Sequence, residues 1–126
     1  MKFRIAALGL AFFAISGVAH AEGDAAAGEK VFKKCAACHA IADDKNKVGP
    51  SLKGVINRPA ASVASYKYSP AMTKKGEEGL IWDEATLTEY LPKPMKYVPG
   101  TKMGFAGLNK PEDIENIIAY LKQNSQ

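Results

Sequence analysis

The sequence predicts a small all-α protein of one domain. Two observations carry that expectation: apolar residues recur at helical spacing at both ends of the compact part of the chain, and no convincing strand lies between them. The first candidate helix lies in "GDAAAGEKVFKKCAACH", where Ala27, Val31, Phe32 and Cys35 share a face and Asp24 stands at the N-cap position. It should run from about Asp24 to Ala36 and bring the cysteines to its end. From Ile41 to Leu80 no long periodic pattern survives, and Gly, Pro, Ser and Asn point to irregular loop with at most a short helical turn. So long a loop is reasonable in a compact domain only if it wraps something large and apolar. "WDEATLTEYLP" then gives a middle helix, with Asp83 as N-cap, Leu87, Tyr90 and Leu91 on one face, and Pro92 as terminator. "NKPEDIENIIAYLKQ" gives the last and clearest helix, with Pro111 and two acids in its first turn and a stripe of Ile114, Ile117, Ile118 and Leu121.

The first 21 of the 126 residues stand apart from this pattern. "MKFRIAALGLAFFAISGVAHA" has a basic start, an apolar run from Ile5 to Val18 and a small-x-small ending, which reads as a secretory signal peptide cleaved after Ala21. The apolar run is shorter than the ~20 residues a membrane span needs. Residues 22–126 then form one domain, exported to the periplasm and soluble. Both charges in the leader are basic, so the mature chain keeps only a mild positive excess, which disfavours a nucleic-acid partner. Lys33, Lys34, Lys45 and Lys47 bracket the cysteines, and Lys93, Lys96 and Lys102 crowd one later segment; solvated lysines or a basic docking face would both produce this.

"CAACH", residues 35–39, holds the only two cysteines of the chain. A redox dithiol of the thioredoxin kind needs a helix that begins at the cysteines, whereas here the helix precedes them. A zinc site needs four ligands, and without the leader only Cys35, Cys38 and His39 are on offer. A plain disulfide in a binding module is a further option. Cys-x-x-Cys-His is the attachment signature of a c-type haem: two thiols reach the two vinyl groups of the porphyrin, and the adjoining His39 falls where it can bind iron. Export fits, because this attachment takes place outside the cytoplasm. With no second histidine in the mature chain, the other axial ligand would be a thioether from Met72, Met95 or Met103. Context favours Met103, in "VPGTKMGFAGL", where glycines let the backbone pass close to a flat ligand.

"CAACH", "NKVGPSLKGV", "KYVPGTKMGFAGL" and "IIAYLKQ" together resemble the class I cytochromes c, the group of mitochondrial cytochrome c and bacterial cytochromes of the c-two type. The resemblance implies a fold in which the terminal helices cross, with Gly28 and Phe32 meeting Tyr120 and Leu121, and a third helix and loops enclose one covalent haem. It implies Cys35 and Cys38 as thioether attachments and His39 and Met103 as axial ligands. It also implies that the Pro50 carbonyl accepts a bond from the imidazole, that Arg58, Tyr68 and Trp82 hydrogen-bond the propionates, and that Tyr90 and Thr101 line the methionine side. This chain departs from the mitochondrial pattern at Met72, usually asparagine, at Asn46, a loop-tying histidine in many relatives, and in "TKKGEEG", about three residues longer. An iron with two permanent ligands would carry electrons, not bind substrate, so no enzyme activity is expected; a labile sixth site would instead give a haem enzyme or gas-binding cytochrome. The expected partners are membrane-bound donor and acceptor complexes, docking transiently on a monomer at a haem edge ringed by Lys34, Lys47, Lys96 and Lys102.

Overall fold

The computed structural model describes residues 23–125. The expected leader, with its cleavage after Ala21, lies outside these residues. Helix α1, Ala25–Phe32, starts where Asp24 accepts hydrogen bonds from the Ala26 and Ala27 amides (2.9 and 3.4 Å). It is shorter than the periodicity predicts, because turns replace it at Lys33. The turns still carry the chain through the motif: the Ala36 amide donates to the Phe32 carbonyl (2.9 Å) and that of His39 to Cys35 (2.9 Å).

The last helix, α5, spans Pro111–Gln123 and buries Ile114, Ile117, Ile118 and Leu121, the stripe read from the sequence. It crosses α1 at Gly28, where an added Cβ would come within 1.9 Å of the Asn116 carbonyl oxygen. Only a glycine lets the two backbones approach so closely. The Phe32 and Tyr120 rings pack beside the crossing with centroids 5.3 Å apart. The buried Asn116 side chain accepts a hydrogen bond from the Asp24 amide (2.8 Å), so the start of α1 is fixed to α5 by a polar contact as well.

The middle of the chain holds more structure than its sequence advertises. Helix α2, Pro70–Glu77, lies where the pattern reads as loop. It has a Ser69 cap, whose hydroxyl accepts from the Met72 amide (3.1 Å), and Pro70 in its first turn, but buries no residue completely. With no buried stripe it leaves no helical period to detect. Two short strands, β1 Arg58–Pro59 and β2 Ile81–Trp82, pair antiparallel with Arg58 opposite Trp82. Two residues are too few to show alternation, so the expectation of no strand fails here. Left-handed backbone at Asn57 (φ 64°) and Ala61 (φ 56°) turns the chain on either side of β1.

Helix α3, Glu84–Tyr90, begins with a reciprocal cap between Asp83 and Thr86 and buries Leu87 and Tyr90. A four-residue helix, α4 Pro94–Tyr97, follows. The core joins Val31 and Phe32 of α1 with Trp82, Leu87, Tyr90, Val98, Leu108 and the α5 stripe. Each such side chain contributes about 1.5–3 kcal/mol on burial, which holds α1, α3 and α5 together and leaves the loops to surround the CAACH segment.

Candidate haem-binding site

Cys35 is half-buried, Cys38 is exposed, and both are free thiols. Burial pushes the Cys35 thiol up from its ordinary pKa, against the opposing pull of the Lys34 charge. Both lie in the turns that follow α1.

His39 comes next. Its Nδ1 lies 2.7 Å from the Pro50 carbonyl oxygen. A carbonyl can only accept, so Nδ1 carries the proton and the Nε2 lone pair is left for a metal. Burial pushes the imidazole pKa down despite the Pro50 bond, and the charges of Arg58 and Lys47 push the same way as burial. The ring is thus held neutral, the form that ligates. Gly49 lies against it, and a Cβ there would come within 2.3 Å of the ring.

Among the three candidate methionines, Met95 is exposed, while Met72 and Met103 are both partly buried against the core. Met103 is the one with a polar partner: the Tyr90 hydroxyl donates to its Sδ at 3.1 Å, and its own amide donates to the Thr101 hydroxyl (3.2 Å). Tyr90 is buried, which raises its pKa to about 12 and keeps it a donor. Its ring packs between Trp82 (4.7 Å) and Tyr97 (5.8 Å). Tyr90 and Thr101 thus both contact Met103, and the Trp82 ring packs on Tyr90 in the same cluster.

Arg58 donates from Nη1 to the carbonyls of Ser51 (3.0 Å) and Lys53 (3.2 Å). The only ion pair among the described residues is Lys122–Glu84, so this half-buried guanidinium has no carboxylate partner there. A propionate would supply one. Tyr68 accepts from the Val63 amide (3.2 Å) and keeps its own proton to donate. Two thiols, a nitrogen and a sulfur donor, and an uncompensated guanidinium fit a c-type haem. No three His, Cys, Asp or Glu side chains among the described residues gather as a metal cluster, which leaves a zinc ion without its set. Two open grooves of about 390 and 490 Å³ share Lys75 and Tyr97 and lie outside this set of residues.

Residues 25–125 match the family described as cytochrome c. The chain belongs to the cytochrome c family. It is similar to a cytochrome c2 of Agrobacterium tumefaciens (54% identity, covering 79% of this chain and 91% of the relative). A cytochrome c of Cochliobolus lunatus is 47% identical, over 83% of this chain and 96% of its own length. Among solved structures, cytochrome cH from Methylobacterium extorquens superposes with a TM-score of 0.73 at 50% identity, covering 80% of this chain and 99% of that one. Family membership establishes one covalent c-type haem as the cofactor and electron transfer, not bond-making, as the activity.

Two contributors, Ser51 and Tyr66, escape the motif reading, and Asn46, read from the sequence only as a departure from the family pattern, has a contact role. Asn46 donates to the Ser65 hydroxyl (2.9 Å) and accepts from the Ser51 amide (3.2 Å), so its amide ties two loops together. Buried Ser51 also offers its carbonyl to Arg58. Tyr66 donates to the Val48 carbonyl (2.7 Å) and meets the Tyr68 ring edge-on at 4.8 Å. Loop residues of this kind have no period, and only the positions they reach across the fold reveal them.

Proposed function

We propose that this cytochrome is a soluble periplasmic carrier of single electrons between membrane redox complexes, in which His39 and Met103 would supply the nitrogen and sulfur that hold the haem iron. The observation that carries the reading is the Tyr90 hydroxyl on Met103 Sδ, which singles out that sulfur among three candidates. The bound haem supplies the one-electron couple. The chain's own residues do the rest: Cys35 and Cys38 anchor the ring, Pro50 holds His39 with its proton on Nδ1, and Tyr90 and Thr101 hold Met103. Arg58, Tyr68 and Trp82 serve the propionates, whose charges would otherwise be costly beside an apolar interior.

Export with cleavage after Ala21 places the protein where such haems are attached, as a monomer. Its docking face comprises Lys34, Lys47, Lys96 and Lys102, all exposed. Two of these ammonium groups also rest on backbone carbonyls, Lys47 on Ala36 (2.7 Å) and Lys102 on Lys67. Lysines favour partners with acidic surfaces and give fast, salt-sensitive encounters. The partners are a quinol-oxidising cytochrome bc complex as donor and an oxidase, photosynthetic reaction centre or reductase as acceptor.

The test is spectroscopic. The ferric protein should show the thioether-to-iron charge-transfer band, Met103→Leu should abolish it, and the ferrous protein should not bind carbon monoxide at neutral pH. Ready carbon monoxide binding would replace this reading with that of a haem enzyme or gas-binding cytochrome. N-terminal sequencing of the exported protein should begin at Glu22.

A further inference from the structure

Three loops meet over one tyrosine. The Tyr66 hydroxyl donates to the Val48 carbonyl (2.7 Å), on the loop that leads into Gly49, Pro50 and the His39 contact. Its ring edge packs on Tyr68 at 4.8 Å within its own loop. Over its ring, 4.7 Å from the centroid, stands the ammonium of Lys102, the residue immediately before Met103. That ammonium also donates to the carbonyl of Lys67, the neighbour of Tyr66. One side chain therefore joins the loop on the His39 side, the Tyr68 loop and the Met103 loop.

The Met103 loop has few other ties of its own. Gly100 (φ 89°) and Gly107 (φ 113°) bound it, both in backbone that side chains disfavour, and Gly104 has open space beside it. The Thr101 amide donates to Val98 (3.0 Å) at one end, and the Leu108 amide donates to Leu91 (2.9 Å) at the other. Between those ends, among the described residues, the Thr101–Met103 and Tyr90–Met103 hydrogen bonds act from inside the fold beside the core packing of Met103 and Phe105, and Lys102 acts from outside. Lys102 is exposed, and an ammonium left in water would gain nothing from this posture. Bonded to a carbonyl and lying over a ring, it holds the loop.

We propose that Tyr66 and Lys102 form a clasp that keeps the Met103 loop shut, so that Tyr66, distant in sequence, is a positioning residue for the thioether. The proposal rests on the reading of Met103 as axial ligand. When the clasp opens, the loop can swing and a small external base can take the place of the sulfur. With the clasp closed, such a base is kept out.

Imidazole is a suitable probe because near pH 8 it is mostly uncharged and so insensitive to the loss of a lysine charge. Its association with the ferric holoprotein is followed by loss of the thioether band, in the wild type and in Tyr66→Leu, Lys102→Gln, the double variant and Tyr66→Phe. A cation–ring contact with a hydrogen bond supports an expected rise in imidazole affinity of about ten-fold in Tyr66→Leu and in Lys102→Gln. The double variant should rise no further than either single one, because both remove the same clasp. Tyr66→Phe keeps the ring and should fall between wild type and Tyr66→Leu. The denaturation midpoint, measured alongside, separates clasp from scaffold. Affinities within two-fold of wild type, independent addition of the two substitutions, or a rise matched by an equal loss of global stability would each overturn the proposal. Should Tyr66→Leu fail to fold, Tyr66→Phe and Lys102→Gln supply the same comparison. A wild type that lacks the thioether band would refute the Met103 reading itself, a result distinct from failure of the clasp.

Discussion

Tyr90 is where a single hydroxyl has the most to decide. Its proton points at Met103 Sδ and draws electron density from the sulfur, which favours the reduced iron if that sulfur is the ligand. Tyr90→Phe should lower the reduction potential; a hydrogen bond of about 0.5–1.5 kcal/mol corresponds to roughly 20–65 mV for one electron, measurable by potentiometric titration. The same residue predicts a pH effect. Burial raises its pKa to about 12 in the folded protein, above the value of about 10 in an unfolded chain. Its contribution is therefore complete below pH ~10 and is lost as pH rises from there through about 12, a change of ~2–3 kcal/mol. Denaturation of Tyr90→Phe across that window should lack this part of the slope. Helical spacing shows Tyr90 only as one of three residues on a helix face, and the family resemblance puts it on the methionine side; the hydroxyl's own target lies 13 residues away and is reached only in the fold.

Helices differ in how openly their sequences announce them. α3 and α5 each bury one stripe and carry a recognisable start, so spacing and caps reveal them, and α1 is misread only at its end. α2 and α4 bury almost nothing beyond Pro94, so neither leaves a period. The α1–α5 crossing is the junction on which the others depend. Gly28→Ala would drive a methyl into the Asn116 backbone and should cost at least ~3 kcal/mol, read as a lower denaturant midpoint. Asn116→Ala leaves the Asp24 amide without its acceptor and should cost about 1–3 kcal/mol by the same measurement. Asp83→Ala removes the reciprocal cap of α3, worth ~1 kcal/mol.

At the scale of the whole molecule, Lys34, Lys47, Lys96 and Lys102 are exposed, among lysines that are also exposed on α1, α2 and α5, and the proposed docking face is built from these four. Encounter with an acidic partner should therefore be fast at low salt and slow steeply as the screening length falls toward ~8 Å near 0.15 M ionic strength. Stopped-flow reduction by membranes of the source organism, repeated with Lys34→Gln and Lys96→Gln, should show a lower low-salt rate and a shallower salt dependence. A rate indifferent to salt would remove the lysines from the docking face.

Chemistry that is local in the chain was readable from the chain alone. Two thiols and an imidazole within five residues fix the kind of cofactor, because covalent reach depends on spacing, and the helical stripes fix the all-α class, because burial depends on period. The choice of Met103 over Met72 and Met95 was different. Context only favoured it, and the fold supports it by setting the Tyr90 hydroxyl on the Met103 sulfur, whereas Met72, likewise packed against the core, has no such partner among the described residues and Met95 is exposed. The β1–β2 pair, the Asn46 tie and the Tyr66–Lys102 clasp likewise belong to tertiary structure alone. Each is a contact between residues distant in sequence, and a contact of that kind has no period, no motif and no cap by which a chain could disclose it in advance.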